Sequence, residues 1–283
     1  MAVTDNFSGP TIRASNRFPT KLAIHEHIVD DATGGTDTDA LPSSALTERG
    51  ALASNIGKKI TIGDRSYVFC RSAANVAIGP GKVVACDYSV QGIGSNNIDN
   101  SCTAAGKGDR TVTVTEASLG SVTKDLLVDA YLVTESGAGL GYAYRIRSNT
   151  AAASNAVTFT LYDTIAVAVT TATDVSIMPN RYDNVIVSAG ATAVADSPPV
   201  GVSQANITAD GSGVQQFFWA QYAGPCAVLS DGAITAGFSV MISDGTDGSV
   251  EVFDIGAAPG ANIGYTLDTT VTGEYGQMII NIP

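Results

Sequence analysis

Between Arg110 and Glu116 the chain reads RTVTVTE, a strict alternation of polar and apolar residues. Successive side chains of a strand point to opposite faces, so this stretch predicts a strand with one face in a core. Shorter signals of the same kind surround it. Ile60 and Ile62 flank Thr61 ahead of a Gly63-Asp64 turn, Tyr67 to Cys70 is a β-favouring run, and Gly79-Pro80-Gly81 turns into Val83 to Ala85. Further strands are predicted at 128–134, 142–146, 157–162, 174–178 and 184–187. Turns separate them at intervals of about ten residues, the spacing of a β-sandwich or barrel. Beyond Ser197-Pro198-Pro199, strands are predicted at 214–222, 227–229, 239–242, 249–253 and 278–282, with Asp231-Gly232, Asp244-Gly245 and Asp247-Gly248 as turns. Residues 91–109, rich in Gly, Asn and Ser, predict a long loop, and 118–127 a short helix.

Residues 1–55 carry no period and are punctuated by Gly9-Pro10, Phe18-Pro19, Gly34-Gly35 and Leu41-Pro42. They predict an extended N-terminal arm with a short helix near 44–53. The expected organisation is therefore all-β: arm 1–55, a β domain at 56–197, and an acidic C-terminal β domain at 198–283, each β domain a sandwich or barrel. Strands do not alternate with helical patterns, which argues against a doubly wound sheet.

Composition sharpens this picture. The chain has 283 residues, is 45% hydrophobic and only 15% charged, against about 25% charged in an average soluble domain. That excludes disorder throughout, a coiled coil and collagen. No apolar run approaches the length of a membrane-spanning helix, and MAVTDNFSGPTIR has neither a basic nor an apolar region, so no secretory signal is expected. The net charge of −12 is placed unevenly: residues 1–110 hold 11 Lys/Arg and 11 Asp/Glu, and everything after Arg181 holds ten acids and no Lys or Arg. Such a surface repels phosphate, so nucleic acid is not an expected partner.

Little catalytic chemistry is in view. His25 and His27 are the two histidines, and they supply at most half of a metal site. Neither a nucleophile elbow nor a P-loop is present; Gly137-Ala138-Gly139-Leu140-Gly141 leads into a strand and predicts a hairpin turn. Asp30-Asp31 and Asp37-x-Asp39 lack the rest of an EF-hand loop. Asp37, Asp39, Asp129, Glu135, Asp163, Glu251 and Asp254 are candidate carboxylates for glycoside hydrolysis, but most sit beside Thr, Ser or Gly, as solvated turn acids do. Cys70, Cys86, Cys102 and Cys226 form no C-x-x-C pair. A Cys70–Cys86 disulfide is open if the two face each other across neighbouring strands; buried thiols are the expectation. No catalytic residue, metal or cofactor is expected, and the chain does not read as an enzyme.

Two stretches carry a resemblance. Tyr142 to Val187 contains an aromatic-Arg-Ile-x-Ser-Asn turn after a strand. Gly201 to Gly237 contains Gly-Val before a polar loop and then Phe218-Trp219-Ala220-Gln221, with Gly224-Pro225-Cys226 following; Gly273-Glu274-Tyr275-Gly276 comes later. Together with Ile62 to Val84 they resemble head-decoration (cement) and related virion structural proteins of tailed bacteriophages. In such a protein Trp219 is expected to fill a core and Gly224-Pro225 to turn the chain. The resemblance implies a chain made in the host cytoplasm and carried on the capsid exterior. Its partners would be the major capsid protein and further copies of itself, with a trimer favoured, and neither nucleic acid nor membrane. Phe7, Arg13, Arg17, Phe18, Lys21, Leu22 and Ile24 are the expected interface residues, because the arm cannot bury its apolar side chains alone. The acid-only charge of residues 200–283 suggests that they face outward. The alternatives are a host-recognition spike or fibre module, supported by exposed aromatic clusters, and a glycan hydrolase or lyase, supported by two close carboxylates in a cleft.

Overall fold

The computed structural model of the chain describes residues 56–87, 98–116, 119–120, 122–190, 198–209, 211, 213, 215–254 and 262–283. The expected arm, its interface residues, the 44–53 helix and both histidines lie outside the described residues. The described part is all-β and antiparallel, in two sheets.

The first sheet has ten strands: β1 (Lys59–Ile62), β2 (Arg65–Arg71), β3 (Val83–Cys86), β10 (Val185–Val187), β11 (Pro199–Ser203), β12 (Phe217–Leu229), β13 (Ser239–Ile242), β14 (Val250–Val252), β15 (Asn262–Thr266) and β16 (Tyr275–Asn281). Its order is β10-β3-β11-β12-β16-β15-β13-β14, and β2, paired with β1, also joins β12. The sheet curls into a half-barrel, because Ser230 at the end of β12 bridges Val250 of β14 and the Val83 N–H reaches the Gly248 carbonyl. Val228, Val240, Ile263, Met278 and Ile280 fill the curl. The second sheet, in the order β4-β9-β6-β7-β8-β5, comprises β4 (Ile98–Ser101), β5 (Thr111–Thr115), β6 (Tyr131–Thr134), β7 (Ala143–Asn149), β8 (Ala156–Leu161) and β9 (Asp174–Met178). Its core holds Leu132, Ile146, Phe159 and Leu161.

Several expectations need correction. The expected boundary at 197/198 does not separate the sheets. Strands from both sides of that point share the ten-stranded sheet, and residues 98–178 form the other sheet, inserted between β3 and β10. Pro198-Pro199 marks a strand start, where a missing N–H costs nothing. The loop expected at 91–109 contains β4, which pairs with β9; its partner lies too far along the chain for a local pattern to show it. The described part of 118–127 is a short 3-10 piece at Leu119-Gly120 followed by turns, not an α-helix. Asp125 takes a left-handed φ of 59°, and the Asp125 and Leu127 N–H groups donate to Asn149 instead of to carbonyls one turn back. Trp219, though half-buried, does pack against two core clusters, tilted against Phe69 at 5.0 Å between centroids.

Gly224-Pro225 does not turn the chain. It lies inside the 13-residue β12, just past a register shift between Gln221 and Ala223. Gly224 has φ 92°, and a Cβ there would collide with the Asp64 carbonyl oxygen. Gly224→Ala is therefore expected to cost about 2 kcal/mol or more, from backbone strain plus displacement of the β1–β2 hairpin. Urea unfolding checks this, and a loss under about 0.5 kcal/mol, the usual range for a harmless substitution, would contradict the packing described.

Candidate docking face and inter-sheet cleft

Along β12, β16 and β15 alternate residues enter the curl and the others face out. The register sets Leu229 beside Tyr275, Ala227 beside Gln277, and Pro225, Ile279 and Tyr265 in one row, with Ser239 beyond. Leu267 continues the β15 alternation, its N–H bonded to the Gln277 carbonyl. Tyr265, Leu267 and Tyr275 are 45%, 50% and 51% exposed. None of these residues carries a charge.

Four acids of the same half sit at turns, where their oxygens accept hydrogen bonds. Asp247 accepts from Gly190, Asp268 from Gln277 and Glu274 from Val271, while Asp231 accepts from the Ser243 hydroxyl. Residues 200–283 therefore offer a partner more than acids: the count of charges hid a neutral, tyrosine-bearing sheet face between acidic turns. The pattern was present in β16, YGQMIIN, whose exposed and buried positions alternate.

A second feature lies between the sheets. Residues of β6, β7 and β9 and residues 179–182 line a cleft of about 480 Å³. The register places Tyr131 between Arg145 and Met178 on one face of the six-stranded sheet. Arg145 pairs with Asp129 at 3.0 Å and lies over the Tyr162 ring at 5.2 Å. Across the cleft Arg181 lies over Tyr182 at 5.4 Å and donates to the Pro199 carbonyl at 2.6 Å. Asp129 was a candidate hydrolytic carboxylate; here it holds an arginine instead. Arg145 and Arg181 carried no local signal, because their partners come from other strands.

Of the other carboxylates, Glu135 and Asp163 are exposed and Asp37 and Asp39 lie outside the described residues. Glu251 and Asp254 line an open pocket with Asp231 and Asp244. Partial burial, and then the charges of Asp244, Asp231 and Asp254, push the Glu251 carboxyl above its ordinary range. Among the described residues no group of three His, Cys, Asp or Glu side chains is placed to hold a metal ion. The Gly137–Gly141 segment is a turn closing the β6–β7 hairpin, with the Gly141 N–H on the Thr134 carbonyl.

All four cysteines are buried free thiols. Cys70 and Cys86 share one core cluster, but both are free thiols. Burial pushes the Cys70 thiol far up, Cys86 up to about 12 with help from Asp183, and Cys102 up to about 11. A thiol reagent at pH 8 should leave the native protein untouched and modify all four on unfolding; rapid native labelling would contradict this. The unfolded chain loses these protons near pH 9.0 and the folded one does not. The thiol contribution to stability is thus complete below that pH and falls as the pH rises toward about 12.

Comparison of the chain with family models, with curated proteins and with solved structures finds no match.

Proposed function

We propose that the chain is a virion structural protein, a decoration (cement) protein that binds the outside of an icosahedral phage head and stabilises contacts between capsomers. The observation that carries this is the neutral face of Leu229, Tyr265, Leu267, Tyr275 and Ile279, flanked by acidic turns. Cores of protein interfaces are poor in charge and rich in tyrosine, and a flat sheet face presents such residues without further folding. The motifs from Tyr142 to Val187 and Gly201 to Gly237 supply the phage resemblance.

In this proposal the work is non-covalent. The neutral face meets the major capsid protein or a sister copy in a homo-oligomer, a trimer by the family's habit. The N-terminal segment, through Phe7, Arg13, Arg17, Phe18, Lys21, Leu22 and Ile24, adds contacts across neighbouring subunits. Each contact is modest, but on a lattice the second is effectively intramolecular, so affinities multiply. The base-free stretch after Arg181 disfavours nucleic acid.

Co-sedimentation of the purified protein with undecorated heads of the encoding phage tests this directly. Saturable binding at a fixed number of copies per head is expected. Failure to pellet with heads at any protein concentration would overturn the proposal.

A further inference from the structure

We propose that the cleft between the two sheets binds an acidic sugar, with Arg181 taking its carboxylate, Tyr131 its ring face and Arg145 the hydroxyls at the far edge. Basic residues are scarce here: the chain beyond residue 110 has four Lys/Arg, and two of them line this one cavity. Among the described residues the charged ones lining it are Arg145, Arg181 and Asp129, a net of one positive charge on a chain of net −12. One excess positive charge matches a carboxylate better than the double charge of a phosphate. In a low-dielectric recess on an acidic protein it concentrates anions locally.

Both guanidinium groups are held before any ligand arrives. Arg145 is fixed by Asp129 and the Tyr162 ring, Arg181 by the Tyr182 ring and the Pro199 carbonyl. Planar, pre-oriented forks lose little entropy on gripping a ligand. Asp129 holds its arginine from a left-handed backbone, φ 66°, with its N–H on the Ile146 carbonyl. The wall between the arginines is Tyr131 and Met178, exposed by 37% and 48%. A pyranose ring has an apolar C–H face that lies on such a wall, and hydroxyls at its edge. The Asn180 Oδ1 accepts from the Tyr182 N–H, which leaves the Nδ2 group as its donor to a hydroxyl. The cleft volume of about 480 Å³ lies within the range of small-molecule sites, about 300–1,000 Å³.

The test uses the full chain with D-galacturonic acid and D-galactose, which differ at the carboxylate, in saturation-transfer NMR and calorimetry. Galacturonate is expected to bind at least about tenfold more tightly than galactose, and to be weakened by salt. Arg181→Gln and Tyr131→Ala should each weaken galacturonate by about tenfold or more. Tyr131 is partly exposed, so its variant should keep the parent melting temperature and report on binding even if Arg181→Gln unfolds. No saturation transfer at millimolar galacturonate, an equal response to galactose, tighter binding of inorganic phosphate, or unchanged binding by Tyr131→Ala would each overturn the proposal. None of these outcomes depends on head binding, so the site and the decoration role fail separately.

Discussion

Asp183→Ala should lower the unfolding free energy by about 3–5 kcal/mol, because it strands a buried arginine. Arg71 in β2 and Asp183 ahead of β10 form a two-pronged pair, Nε to Oδ1 at 2.7 Å and an Nη to Oδ2 at 2.8 Å. Their side chains are 6% and 4% exposed. Removing the carboxylate leaves a guanidinium out of water with its strongest partner gone. The surrounding backbone multiplies the effect, since the Arg71 N–H donates to the Tyr182 carbonyl and the Asn184 N–H to Asp183. Replacing both members by apolar residues, Arg71→Met with Asp183→Leu, should recover much of the loss, because no uncompensated charge remains. Urea denaturation of the three variants measures this; a single Asp183→Ala costing under about 1 kcal/mol would place the pair among weak surface bridges.

The second large effect concerns binding. Tyr265→Glu combined with Leu267→Glu puts two carboxylates on the neutral face beside Asp268 and Glu274. Both parent side chains are about half exposed, so the fold and melting temperature should hold. Affinity for heads, and self-association, should fall by about a hundredfold or more, since central apolar contacts carry most interface energy and buried unpaired charges oppose docking. A variant that binds as well as the parent would remove the face from the account.

Strands with their own alternation were legible in the chain. RTVTVTE encloses β5, and β9 has the bounds 174–178 that the sequence predicts. What escaped depends on distant partners. β4 exists because β9 lies beside it, and β12 runs through Gly224-Pro225 because the β1–β2 hairpin and β16 hold it on either side of a register shift. A Gly-Pro pair reads locally as a turn, and nothing local says otherwise. The same holds for charge. Ten acids and no bases after Arg181 suggest an acidic surface, but Asp231, Asp247, Asp268 and Glu274 sit at turns, and the outward residues of β12, β15 and β16 are neutral. Tyr275, Gln277 and Ile279 alternate visibly and could have revealed that face. Arg145, Asp129 and Arg181 could not have been joined from sequence, because three separate elements bring them to one cleft.

A cryo-EM map of phage heads incubated with the purified chain locates the neutral face. Density for the chain is expected on the outer surface of the shell, with Tyr265, Leu267 and Tyr275 buried against the capsid protein or a sister copy. A map with no such density, or one in which that face points to solvent in every copy, would contradict the proposed decoration role.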